Sequence, residues 1–253
     1  MRHHLARAAA PLVAACLLAP AALRAQSLDA QIRAAADRVA PALTEVRHRI
    51  HQHPELGNRE FRTSALVAEH LRALGLEVRT GVAHTGVVGV LRGGRPGPVV
   101  AVRADMDALP VTESTPYPWK SVDSAVYNGQ KVGVSHACGH DVHTVVQMGV
   151  ASVLAGMRDR LPGTVVFIFQ PAEEGLPAGE DGGAAMMLKE GAFALHPTAV
   201  FGLHTLAQME VGKVGFATGP AMAAADRFDV MVRGRGAHGA SPENSVDPVV
   251  MAA

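Results

Sequence analysis

The residues able to do chemistry fall in two short stretches. His136-Ala137-Cys138-Gly139-His140-Asp141 places a thiol, two imidazoles and a carboxylate within six positions, with a third imidazole at His143. Glu173-Glu174 follow 32 residues after Asp141, inside FQPAEEG. Thiolate, imidazole and carboxylate together are a ligand set for one or two divalent transition metals, and a paired carboxylate leaves one group over to act as a base on water. The expected chemistry is metal-assisted hydrolysis. Cys138 and His140 are two apart, so in an extended segment both project to one side and reach one ion. Glu173 and Glu174 are adjacent, so their side chains are expected to diverge, one to the metal and one to the attacking water.

Those residues need elements to hold them. Helical apolar spacing covers 30–52 and 59–74, the second stopped by Gly75, with a turn around Pro54 and Gly57 between them. Strands are expected at 85–91, 98–104, 164–169 and 199–204, and a helix with Asp141 as N-cap runs to about Arg160. Alternating strands and helices imply an α/β fold with a largely parallel sheet covered on both faces. Asp105 and Asp107, Glu173 and Glu174, and His204 each follow or end a strand, and such positions converge at one edge of an open α/β sheet.

Composition narrows the field. The chain has 253 residues, 48% of them hydrophobic and 18% charged, enough to bury the core of one domain and begin a second. Residues 1–25 read as an export signal: Arg2, His3, His4 and Arg7, then an apolar run, then small residues at Ala21, Ala22 and Ala25. A periplasmic or secreted location follows. Val13-Ala14-Ala15-Cys16 resembles a lipoprotein box, but the apolar run continues past Cys16 and favours ordinary cleavage. Without the leader, 20 basic groups face 23 acidic ones, a net of −3, with no block of like charge to suggest nucleic acid or an anionic membrane as partner. Cys138 is then the single thiol, which excludes an internal disulfide and, among three histidines, favours a ligand over inert core.

Competing motifs fail. Gly234-Arg235-Gly236-Ala237-His238-Gly239 fits a dinucleotide fingerprint, but Pro242 and Pro248 interrupt the helix it requires. HExxH, GxSxG and P-loop patterns are absent. His51, His53, His70, His84 and His196 lack metal spacing, and surface or packing roles are expected for them.

The segments HQHPELGNREFRT (51–63), RADMDALPVTE (103–113), HACGHDVH (136–143), FQPAEEG (169–175), FGLHT (201–205) and ADRFDVMVRGRGAHGASPENSVDP (225–248) resemble, in order, the metallopeptidase-like amidohydrolases. That family includes hippurate hydrolases, aminoacylases, auxin-conjugate amidohydrolases and N-acetyl-diaminopimelate deacetylases. The resemblance implies a zinc-peptidase-like catalytic domain over 26–220 and the start of an inserted α+β lid, a dimerisation domain, over 221–253. It implies that Cys138, His140, Glu174 and His204 hold one or two ions of Zn, Mn or Co, that Glu173 is the general base, and that the lid residue His238 meets the substrate carbonyl, often across a homodimer. Asp105, Asp107, His136 and Asp141 are expected to position the ligands, as is His143. The implied substrates are N-acyl amino acids or small peptides. Relatives of this kind are longer and bring a further histidine ligand near their C-terminus, for which this sequence offers no candidate. The 253-residue chain by itself is therefore expected to be marginally stable and nearly inactive. An inactive fragment and a non-catalytic interaction module of the same fold remain the alternatives.

Overall fold

Helix α1 (Leu28–Gln52) opens the part of the chain that the structure, a computed structural model, describes, namely residues 27–222 and 228–253. The export signal read in 1–25 lies outside the described residues. Ser27 caps α1 by accepting from the Ala30 amide at 3.2 Å. Helix α2 (Phe61–Ala73) is capped from outside its own first turn: the Glu55 carboxylate accepts from the amides of Arg62 at 3.0 Å and Thr63 at 2.9 Å. Gly75, at φ +73°, ends it as expected.

Then come β1 (Glu77–Val82), β2 (Gly86–Arg92), β3 (Arg95–Asp105), the hairpin β4 (Ser124–Tyr127) and β5 (Gln130–Gly133), α3 (His140–Ala155), β6 (Pro162–Gln170), α4 (Gly183–Lys189) and β7 (Ala199–Gly202). The main sheet has the order β1-β2-β6-β3-β7. β2 pairs antiparallel with both β1 and β6, while β3 pairs parallel with β6 and β7, so only β2 runs against the other four strands. The largely parallel α/β reading holds.

β6 shows why the sheet is covered twice. Val165, Phe167 and Phe169 pack on one side with Val67 and Leu71 of α2 and Val145 and Met148 of α3, whereas Val166 and Ile168 face Val88, Ala101 and Met187 on the other. At the opposite end of β3 and β6 from the polar cluster the backbones touch: a Cβ on Gly163, at φ +76°, would lie 1.9 Å from the Pro98 carbonyl oxygen.

Two expectations are corrected. Asp141 is not the N-cap of α3: Gly139, in the left-handed region at φ +85°, takes that place and Asp141 sits inside the first turn. The regular helix ends at Ala155, and residues 158–160 form a 3-10 turn instead. β1, the β4–β5 hairpin and α4 were not anticipated, although Asn128-Gly129, at φ +49° and +76°, is the dipeptide that two-residue hairpins favour.

The chain divides into a unit ending at Leu206 and a second, Ala207–Ala253. Among the described residues of the second unit are a bridge between Arg235 and Val246, a 3-10 turn at Pro242–Asn244, and the short helix α5 (Pro248–Ala252), capped by Asp247. Gly234 to Gly239 precede that turn and no helix follows them directly, as the prolines imply. No described helix is long and apolar enough to cross a membrane.

Candidate metal centre

Three strand ends and one helix start deliver the polar residues. β3 ends on Asp105 with Asp107 just beyond, β6 leads into Pro171–Gly175, β7 leads to His204, and α3 begins at His140. The chain brings Asp105, Asp107, Cys138, His140, Glu173, Glu174 and His204 to one edge, as the sequence implied.

His140 is at the centre and fully buried. Its Nδ1 lies 3.2 Å from Asp107 Oδ1; a carboxylate only accepts, so Nδ1 carries the hydrogen and Nε2 presents a lone pair. That Nε2 has no hydrogen-bond partner, yet Asp105 Oδ1 is 3.7 Å away, Glu174 Oε1 3.6 Å and Glu173 Oε2 3.8 Å. Glu174 Oε1 is likewise buried and unpartnered. A lone pair ringed by carboxylate oxygens is repulsive unless a cation sits among them. Burial works to lower the His140 pKa, but the hydrogen bond to Asp107 and the charges of Asp105, Asp107 and Glu174 raise it. A proton or a metal ion answers the same demand.

On the adjoining side, Cys138 Sγ is 3.4 Å from His204 Nε2, and one ligand atom each from Cys138, His140 and His204 falls within 4.8 Å of the others. Asp105, His140 and His143 form a second such group, and His140, Glu173 and Glu174 a third. Burial, then the bond with Glu174, then the charges of Glu174, Glu173 and Asp105 push the Cys138 thiol up to about 12. Without a cation the thiol keeps its proton; a divalent ion reverses that preference. Sulfur, nitrogen and oxygen donors with two orphaned buried atoms among them fit a divalent metal.

Cys138 and His140 do not converge by lying in an extended segment. The left-handed Gly139 turns the chain between them. Nor do Glu173 and Glu174 diverge completely, since both reach toward His140 Nε2; they differ in exposure, 41% against 19% of the side chain. Burial raises the Glu173 pKa, opposed by His140 and Arg103 and reinforced by Asp105 and Glu174.

The residues expected to position the ligands behave differently from one another. Asp107 holds His140 and also accepts from the Glu174 amide at 2.9 Å. Burial opposes ionisation of Asp105, but the hydrogen bond from His143 and the charges of His140 and Arg103 hold its pKa down at about 2. His136 is buried, neither ring nitrogen has a partner among the described residues, and burial pushes it down to about 4, so it is neutral and touches no ligand through a hydrogen bond. Asp141 takes, on one oxygen, an ion pair from Arg47 at 2.7 Å and a hydrogen bond from His51 Nδ1 at 2.8 Å.

His51 corrects the surface-or-packing expectation. It is buried, and its Nε2 donates to Glu113 Oε1 at 3.1 Å while Nδ1 donates to Asp141, so it stands as an imidazolium between two carboxylates. The bond to Asp141 raises its pKa against the cost of burial, with Glu113 adding to the rise. A signal existed: Arg47 and His51 share one face of a helix at i, i+4 spacing. Glu60 and Thr205 were also passed over. Glu60, fully buried, accepts from the Ala172 amide at 2.8 Å and bonds the Thr85 hydroxyl, bracing the turn that carries Glu173 and Glu174. His238 lies in the second unit, exposed, its Nδ1 accepting from the Ala240 amide at 3.2 Å.

Comparison with known proteins agrees with this geometry. Residues 101–253 match the profile of peptidase family M20/M25/M40. The chain is 43% identical over 208 residues to thermostable carboxypeptidase 1 of Saccharolobus solfataricus, covering 82% of this chain and 50% of that protein. It is 41% identical over 208 residues to the N-acetyl-L-cysteine deacetylase of Bacillus subtilis, covering 82% and 47%. Among solved structures, the Bacillus subtilis YXEP protein, described as a dinuclear metal-binding peptidase, superposes with a TM-score of 0.61 at 38% identity over 74% of this chain and 48% of that one. The chain spans about half the length of the curated relatives it matches.

Proposed function

From the premise that this chain belongs to peptidase family M20/M25/M40, we propose that the protein carrying it is a metal-dependent amidohydrolase that cleaves the amide bond of N-acyl amino acids or small peptides. The observation that carries the reading is the unpartnered lone pair of His140 Nε2 facing Asp105, Glu173 and Glu174, beside the Cys138–His204 pair.

In this proposal Cys138, His140, Glu174 and His204 hold the metal, Zn, Mn or Co, as one ion or two. A bound divalent ion supplies Lewis acidity, which acidifies water and polarises an amide carbonyl. Glu173, the more exposed of the two glutamates, takes the proton from the attacking water and hands it to the departing amine. Asp107 keeps His140 in the tautomer whose Nε2 is free. Asp105 adds negative charge behind the site. His238 meets the substrate carbonyl from the lid, in a dimer, a role that rests on the resemblance of residues 225–248 alone. Export to the periplasm or beyond rests on the sequence of residues 1–25.

Hippurate and N-acetyl amino acids are the substrates to try, with and without a chelator. Glu173→Gln is expected to abolish turnover and retain metal, whereas Cys138→Ala and Glu174→Ala lose metal. Retention of metal by Glu174→Ala with its loss from Glu173→Gln reverses the two roles, and hydrolysis indifferent to chelator overturns the proposal.

A further inference from the structure

We propose that Thr205, backed by His143, is a positioning residue whose hydroxyl fixes the alignment of Cys138 with His204, a histidine whose tautomer the main-chain carbonyl of Thr205 sets. The inference rests on the metal-centre reading above and adds to it a residue with no part in that ligand set.

His204 is held through one ring nitrogen and offers the other. Its Nδ1 lies 2.6 Å from the carbonyl oxygen of Thr205, and a carbonyl only accepts, so Nδ1 bears the hydrogen and Nε2 turns its lone pair toward Cys138 Sγ at 3.4 Å. Thr205 is itself held at two points. Its amide donates to His143 Nε2 at 2.9 Å, and its hydroxyl reaches the carbonyl oxygen of Cys138 at 3.1 Å while lying 3.2 Å from the same His143 nitrogen. Because His143 Nε2 accepts, its Nδ1 must donate, and it does so to Asp105 Oδ1 at 2.7 Å. A single chain of bonds therefore runs from Asp105 through His143 to Thr205, and from there to both Cys138 and His204.

Packing supports the same reading. Gly139, between the ligands Cys138 and His140, lies directly under the Thr205 side chain: a Cβ at 139 would fall 2.3 Å from Thr205 Oγ1. The hydroxyl thus sits over the one backbone position that sets the angle between those two ligands. His143 and His204 rings stack edge-on with centroids 4.7 Å apart, so His143 also limits the swing of His204. Partners that orient a metal-binding imidazole this way act on affinity without touching the ion.

Cobalt(II) titration of the metal-free protein, read by thiolate-to-cobalt absorbance and by chelator competition, tests the proposal. Thr205→Val keeps the shape and the amide but removes the hydroxyl; it is expected to weaken cobalt binding about 10- to 100-fold and dim the sulfur band, with Thr205→Ser within about threefold of wild type. Urea midpoints of the two metal-free variants should agree, which a merely structural role would not give. Wild-type affinity in Thr205→Val, or equal weakening in Thr205→Ser, overturns the assignment. Should Thr205→Val not fold, His143→Gln reads the same chain of bonds from its far end, with comparable weakening expected and wild-type affinity refuting it. A wild-type protein that binds no cobalt overturns the metal-centre reading itself, and this one with it.

Discussion

Glu60→Gln should alter how stability depends on pH. Glu60 is fully buried, and desolvation, only partly offset by its bonds to Thr85 and the Ala172 amide, raises its pKa from 4.5 to about 7, with the nearby charge of Asp107 adding to the rise. A carboxyl whose folded pKa lies above its unfolded one contributes stability that is fully present below about pH 4.5 and is lost as pH rises through about 7. Integrating that linkage between about pH 5.5 and about pH 8 gives a loss of about 2 kcal/mol. The Thr85 hydroxyl and the Ala172 amide both donate to the Glu60 carboxyl; a glutamine keeps the acceptor for Ala172 in its Oε1 and turns its NH2 to Thr85 Oγ1, which then accepts, with no charge to desolvate. Urea denaturation of wild type and Glu60→Gln across that range isolates the effect, because titrating groups not coupled to Glu60 cancel in the difference. The variant should gain about 2 kcal/mol relative to wild type at the alkaline end. A difference that stays flat with pH, or that favours wild type as pH rises, refutes the reasoning.

Three further outcomes are expected. His51→Ala leaves the buried Asp141 carboxylate short of a partner and should cost about 3 kcal/mol in acid; His51 has a raised pKa, so the cost should shrink as pH climbs through it, and a pH-independent loss argues against an imidazolium there. Gly139→Ala forces a side chain into the left-handed region and against Thr205, and should lose about 1–2 kcal/mol of folding stability or more together with metal affinity, measured by chelator competition; wild-type affinity would show that the turn does not set the ligand angle. N-terminal sequencing of exported protein should begin near Gln26, and recovery from the cytosol with Met1 intact would overturn the leader reading.

What the sequence disclosed depended on how local its signal was. Strands β3 and β6 were visible because burial on both faces demands a continuous apolar run, and β6 is VVFIF at its centre. β1, reading EVRTGV, lies at the sheet edge and is mostly exposed, so it carries neither that run nor a clean alternation. The cluster of Cys138, His140, Glu173, Glu174 and His204 could be inferred because strand ends in such sheets meet at one edge. Partners that make contact only through tertiary structure could not: His51 meets Asp141 across 90 residues, and Glu60 meets Ala172 across 112. The Asp141 error has a specific cause. Aspartate is a favoured N-cap, and nothing local reveals that a left-handed glycine two residues earlier has already turned the chain into the helix.

The parallel pairing of β3 with β6 and β7 also bears on the order in which the site can come into being. Arg103 meets Gln170 over 67 residues of chain, Thr198 meets Val99 over 99, and Cys138 meets His204 over 66. Each closure spends entropy before any contact rewards it, so such pairings form late and slowly. Cys138 and His140 are the only neighbouring pair in the proposed ligand set that could seize an ion early, and two donors hold it weakly. Metal should therefore arrest unfolding without accelerating folding: adding it should lower the unfolding rate and leave the refolding rate nearly untouched.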